Sequence, residues 1–156
     1  MTLYAESSAV LAWLLGEPRA SEVREHLGSA DLVIASDLTL VECDRVLIRA
    51  VALGEIAEAD AATRRGELNA AAAHWTLLRL SGEVIDRARQ RFPEEPVRTL
   101  DTLHLSSALL AKSAASDVIV LSLDERVRAN ARAVGFDILP VDRPAHHGDR
   151  AIPLRD

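Results

Sequence analysis

The chain has 156 residues and a mass of 16.9 kDa, the size of one ordinary domain, and a fold of that length buries roughly 70% of its unfolded surface. With 49% hydrophobic and 27% charged residues it is too apolar for a disordered chain, and its single cysteine, Cys43, excludes an internal disulfide and any cysteine-rich metal cage. The formal charge of -6, from 18 basic and 24 acidic residues, argues against a surface that coats nucleic acid or anionic lipid by charge alone.

Residues 2–5 read as a first strand, and residues 7–15 as a helix stopped by Gly16 and Pro18. A second helix, 19–27, ends at Gly28, and the buried apolar strand 32–35 is closed by Ser36-Asp37, a good helix cap. A long helix follows over 38–53 with Gly54 past its end; the alanine-rich stretch 55–73 continues as helix and is expected to break near Gly66. Residues 75–80 are a short apolar strand, 83–91 a helix and 93–96 a loop. The stretch 99–111 is apolar on nearly all sides and so reads as a buried helix; strand 118–121, helix 125–134 and strand 138–141 complete the pattern.

Strands without inside/outside alternation, separated by helices, specify an α/β protein: a three-layer sandwich with a mostly parallel central sheet. The domain is expected to span 1–142. Residues 143–156, with Pro144, His146, His147, Gly148 and Pro153, read as a tail. The early apolar run 9–15 is too short to cross a bilayer and follows no basic segment, since Arg19 is the first basic residue. With the lone cysteine, this makes a cytoplasmic protein the expectation.

Open parallel sheets bind ligands beyond the carboxyl ends of their strands, and carboxylates recur there. Glu6 follows the first strand, Glu42 lies early in the helix after the second, Asp101 sits in the first turn of the buried helix, and Asp124 follows the fourth strand. Each has an ordinary explanation. Asp101 and Asp124 suit helix starts, Glu6 caps a helix, and Glu42 stands three residues before Arg45, at ion-pair spacing. If the four share one pocket at about 5 Å, each like-charged pair costs about 3 kcal/mol at an effective dielectric of 20. Either some carboxyls then hold protons or divalent cations neutralise them, and an all-oxygen set without cysteine or histidine selects Mg²⁺ or Mn²⁺.

The segments Leu3-Tyr4-Ala5-Glu6-Ser7-Ser8, Leu40-Val41-Glu42, Arg98-Thr99-Leu100-Asp101-Thr102-Leu103-His104 and Leu121-Ser122-Leu123-Asp124-Glu125-Arg126, in this order, resemble those of the PIN-domain ribonucleases, specifically VapC-type toxins. The resemblance runs from Thr2 to about Asp142. It implies metal-assisted hydrolysis of an RNA phosphodiester, with Glu6 and Asp101 holding the principal ion and Asp124 and Glu42 completing the set directly or through water. It also implies a homodimer and a VapB-like antitoxin partner, for which the helical arm of residues 38–73 offers candidate surface. Ser8 and Ser122 match small hydroxyl positions beside the acids, and either Arg98 or Arg126 would meet substrate phosphate or pair with a carboxylate. The family usually carries aspartate where Glu6 stands, a change of one methylene, near 1.5 Å.

Other α/β readings fit less well. A receiver domain expects paired acids after the first strand and a lysine after a late one, whereas Lys112 lies within a helix. No glycine-rich phosphate loop occurs among the seven glycines, and an aspartyl nucleophile after the first strand is lacking. The remaining alternative is a PIN fold that binds without cleaving, motivated by Glu6. His104 reads as a core histidine satisfied by packing and one hydrogen bond. Trp13 and Trp75 read as core, interface or groove-wall residues.

Overall fold

The computed structural model describes residues 1–142; the expected tail, with His146 and His147, lies outside the described residues. The elements are β1 (Thr2–Ala5), α1 (Ser7–Leu15), α2 (Ala20–Ser29), β2 (Leu32–Ser36), α3 (Asp37–Ala52), α4 (Glu58–Ala72), β3 (Thr76–Leu78), α5 (Gly82–Ala88), α6 (Thr99–Ala114), β4 (Val118–Leu121), α7 (Glu125–Ala133) and β5 (Ile138–Leu139). All strand pairs are parallel, in the order β3-β2-β1-β4-β5.

Each inner strand is apolar on both faces because helices cover both. Leu3, Ala5, Val33 and Ala35 pack beneath α1–α4 with Val10, Leu14, Val23, Cys43 and Leu68. Tyr4, Ile34, Val118 and Val120 point the other way, into Leu105, Ala108 and Ala111 of α6 and Val127 and Ala131 of α7. This is the three-layer parallel sandwich expected from the uninterrupted apolar strands. Among the described residues no helix is long and apolar enough to cross a membrane.

Several local expectations need correction. α4 runs unbroken through Gly66, which sits exposed with open space where a Cβ would be. A helical glycine costs about 1 kcal/mol, less than burial of Leu68 and Ala72 returns on the same helix. β3 and β5 are shorter than their apolar runs, because edge strands extend only as far as a neighbour pairs with them: β3 over Ile34–Ser36, and β5 over Val120–Leu121. α5 stops at Ala88 rather than at 91. Beyond it, the Glu95 carboxylate accepts from Phe92 N at 3.0 Å and Val97 N at 2.8 Å, while buried Asn130 bonds the Glu94 backbone from α7. These bonds offer the backbone an alternative to further helix.

β1 is central, flanked by β2 on one side and β4 on the other. The chain first builds outward through β2 and β3, then returns past β1 to start β4. Strand order therefore reverses between β1 and β4, the place where parallel sheets leave a crevice beyond their carboxyl ends.

Candidate active site

Glu6 leaves β1 and Ser122-Leu123-Asp124 leaves β4, so both sit at this crevice, tied by Glu6 N donating to Leu121 O at 3.0 Å. Glu6 occupies the N-cap position of α1 but makes no side-chain cap bond, against the expectation of a simple cap. Its carboxylate is 4% exposed as a residue and is enclosed by hydroxyls. Ser7 Oγ donates to Oε1 at 2.8 Å, Ser122 Oγ to Oε2 at 2.7 Å, and Ser8 Oγ also to Oε2. Ser8 in turn accepts from Leu123 N at 2.9 Å and Asp124 N at 3.1 Å, and Ser122 Oγ accepts from Asp124 N at 3.2 Å. The two serines thus join the first acid to the loop that carries the last one.

That hydroxyl seat receives the Glu6 carboxylate at its present side-chain length. Glu6→Asp should retract the carboxylate by about 1.5 Å and lower stability in EDTA-containing buffer by about 1–3 kcal/mol, the scale of hydrogen bonds to a charged group. An unchanged urea midpoint for Glu6→Asp would show that the seat tolerates either length.

Asp101 lies in the first turn of α6 and is 9% exposed. Its Oδ2 is buried without a hydrogen-bond partner. Burial, reinforced by the charges of Asp124 and Glu6, raises its carboxyl above the usual range, and the Arg98 charge only partly opposes this. Asp124 does cap α7, its Oδ1 accepting from Arg126 N at 2.9 Å and Val127 N at 3.1 Å. The ordinary reading therefore holds for one of its oxygens while its charge still acts on Asp101. Arg98 is the exposed N-cap of α6, and Arg126 is exposed in the first turn of α7.

Glu42 is not the surface partner of Arg45. Its Oε2 lies 2.5 Å from His104 Nε2 and 2.8 Å from Ser7 Oγ, whose single hydrogen it shares with Glu6. Burial works to raise the Glu42 carboxyl, but the His104 hydrogen bond and charge, with Ser7, outweigh it and leave it below the ordinary glutamate range. Ser7 consequently bridges Glu6 and Glu42. The site is not free of histidine, and His104 makes more than the one expected hydrogen bond: its Nδ1 lies 3.1 Å from the Tyr4 hydroxyl. Ser7 and Tyr4 have no place in the sequence reading, and His104 is assigned there to the core. The available signal for His104 was its i,i+3 spacing from Asp101, which puts the two on one face of α6.

All four acids thus meet at one end of the sheet, Glu6 with Asp101 and Asp124 through charge, and Glu42 with Glu6 through Ser7. Among the described residues no three His, Cys, Asp or Glu side chains are placed to hold a metal ion together. The chemistry of the donors, taken singly, is of the kind a hard divalent cation accepts: every acid offers oxygen, and the buried Asp101 Oδ2 has no hydrogen-bond partner. The nearby Cys43 thiol is pushed up to about 12, by burial first and then by Glu42, Glu6 and Asp44, so it supplies no thiolate at neutral pH.

The PIN domain model matches residues 3–144. A curated relative, "Ribonuclease VapC46" of Mycobacterium tuberculosis (strain ATCC 25618 / H37Rv), is 28% identical over 137 residues, covering 88% of this chain and 95% of the relative. Among solved structures, the Mycobacterium tuberculosis VapC20 crystal structure, described as a sarcin-ricin loop cleaving toxin, aligns with a TM-score of 0.60 at 14% identity, over 86% of this chain and 95% of that one. VapBC2 from Rickettsia felis, bound to a DNA fragment from their promoter, aligns with a TM-score of 0.58 at 10% identity, over 88% and 97%. These structures share the fold, and the family model spans nearly the whole chain: it belongs to the PIN domain family, with VapC-type proteins among its relatives.

Proposed function

We propose that this chain is a Mg²⁺- or Mn²⁺-dependent endoribonuclease and the toxin of a toxin-antitoxin pair. The observation that carries the reading is the buried, unpartnered Asp101 Oδ2, set against the charges of Asp124 and Glu6 at the switch point of the sheet. The names of VapC46 and VapC20 support the choice of RNA. Attack by water does not involve the 2′-hydroxyl, so the chemistry by itself accommodates DNA equally well.

Glu6, Asp101 and Asp124 would hold the ion, with Glu42 completing the set directly or through water. A bound divalent ion activates an attacking water and stabilises the charge that develops on the phosphoryl and leaving 3′ oxygens. The chain's own residues prepare the site. Ser8 and Ser122 hold Glu6 in register with the Asp124 loop, which keeps the acids in a fixed geometry. Arg98 and Arg126, exposed on either side, meet the phosphates of the RNA strand.

Regulation follows from the exposed face of α3. Val41 and Ile48 are both exposed and seven residues apart, hence on one face, and Val41 adjoins Glu42. A VapB-like antitoxin segment laid along this face reaches the acids. We also assign a homodimer and a cytoplasmic location, the latter supported by the unpaired Cys43.

Purified, antitoxin-free protein should cleave RNA with Mg²⁺ or Mn²⁺ and lose that activity in excess EDTA, regaining it when the ion is restored. Binding of RNA without cleavage under either ion would instead mean a PIN fold that acts as a binding module.

A further inference from the structure

His104 is 1% exposed, yet it is met by polar groups from α3, which carries Glu42, and from the β1–α1 junction, which carries Glu6. It stands on α6, one turn beyond Asp101. Its Nε2 lies 2.5 Å from Glu42 Oε2 on α3, 3.2 Å from Ser7 Oγ and 3.9 Å from Glu6 Oε1. Its Nδ1 lies 3.1 Å from the hydroxyl of Tyr4, two residues before Glu6 on β1.

Counting hydrogens fixes the direction of the bond to Glu42. A carboxylate only accepts, so Nε2 carries the hydrogen and donates to Glu42. Nδ1 faces the Tyr4 hydroxyl, which complete burial keeps protonated, and the two are paired whichever atom carries the shared hydrogen. Ser7 cannot replace the His104 N–H as the donor to Glu42. Its hydroxyl carries one hydrogen but lies 2.8 Å from both Glu6 Oε1 and Glu42 Oε2, so it serves only one carboxylate at a time. When Ser7 donates to Glu6, His104 is what orients Glu42.

We propose that His104 is a positioning residue: a Tyr4–His104 hydrogen-bond pair, anchored on the far side of β1, aims Glu42 at the cation and substrate site. This rests on the reading of Glu42 as part of that site. A fixed tautomer behind a ligating side chain is a general device for tuning cation affinity, worth 10–100-fold when removed.

The test uses the full chain and two readouts, Mn²⁺ affinity by calorimetry without RNA, and kcat against KM for RNA cleavage. His104→Leu should weaken Mn²⁺ binding at least about tenfold and lower kcat with KM little changed. His104→Gln, whose amide N–H reaches toward Glu42, should restore much of both, and Tyr4→Phe should weaken Mn²⁺ severalfold after deleting one oxygen. In a Glu42→Gln background, His104→Leu should cost nothing further, because its effect passes through Glu42. Wild-type Mn²⁺ affinity in folded His104→Gln, His104→Leu and Tyr4→Phe proteins, with only their melting temperatures lowered, would overturn the proposal while leaving the nuclease reading intact. A wild-type chain that neither binds Mn²⁺ nor cleaves RNA would overturn both. Should His104→Leu not fold, the Tyr4→Phe and His104→Gln results decide.

Discussion

Asp101→Asn is expected to abolish RNA cleavage and divalent-cation binding while leaving the fold in EDTA at least as stable as wild type. The reasoning is electrostatic. Asp101 holds a buried oxygen with no partner, and Asp124 and Glu6 act on it as like charges. Neutralising it removes repulsion and one desolvated charge, which together outweigh the attraction of Arg98 that is lost with it. What disappears is the strongest attraction for a cation. Several kcal/mol of charge stabilisation, at tenfold per 1.36 kcal/mol, correspond to a loss in rate on the order of a thousandfold. Thermal denaturation with and without Mn²⁺ separates the two effects: wild type should gain stability with the ion, and the variant should not. A variant that is markedly less stable in EDTA would show that Asp101 is chiefly structural.

Arg128→Ala should have the largest effect on stability, on the order of 4 kcal/mol from lost packing and orphaned acceptors. Arg128 is 1% exposed and among the largest fully buried side chains. Its Nη1 donates to Ser122 O at 2.7 Å, and its Nη2 to Pro140 O at 3.0 Å and to Asp142 Oδ1 at 2.5 Å. Its Nε is 3.4 Å from Glu125 Oε1 yet makes no hydrogen bond, so that contact is ion pairing alone. The guanidinium therefore clamps the loop after β4 to the chain after β5, and the clamped residue, Ser122, is the one that donates to Glu6. Activity should fall with stability. Arg128→Lys should recover little, because an ammonium cannot reproduce a planar fork that spans several carbonyls.

The same clamp has an acid limit. The Arg128 hydrogen bond, opposed by desolvation and helped by the charges of Arg128 and Arg132, holds the Asp142 carboxyl below its ordinary value. A depressed folded value means the contribution is complete above the unfolded value of about 3.9 and is lost as pH falls through the lower folded value. Asp142→Asn should flatten that part of the acid-denaturation profile, as read by urea midpoints between about pH 5 and pH 2.

The strands, the helices and the end of the molecule that carries the acids were legible in the chain, because apolar periodicity and capping residues are local. Ser36 before α3 and Asp124 before α7 act as the caps their positions announce. Where strands and helices stop was less legible. Gly66 does not break α4, and β3 and β5 end where their pairing ends, since burial and pairing override propensity.

The order of residues by itself determined an α/β sandwich with carboxylates recurring beyond the carboxyl ends of its strands, for those follow from spacing along single elements. Only the tertiary structure decided what each carboxylate faces. Glu42 meets His104 rather than the nearby Arg45, and Glu6 meets Ser122, 116 positions away, rather than the end of its own helix. Hydrogen bonds and charge are satisfied by whichever partner packing brings within about 3 Å, and that choice is made between elements, where separation along the chain carries no information.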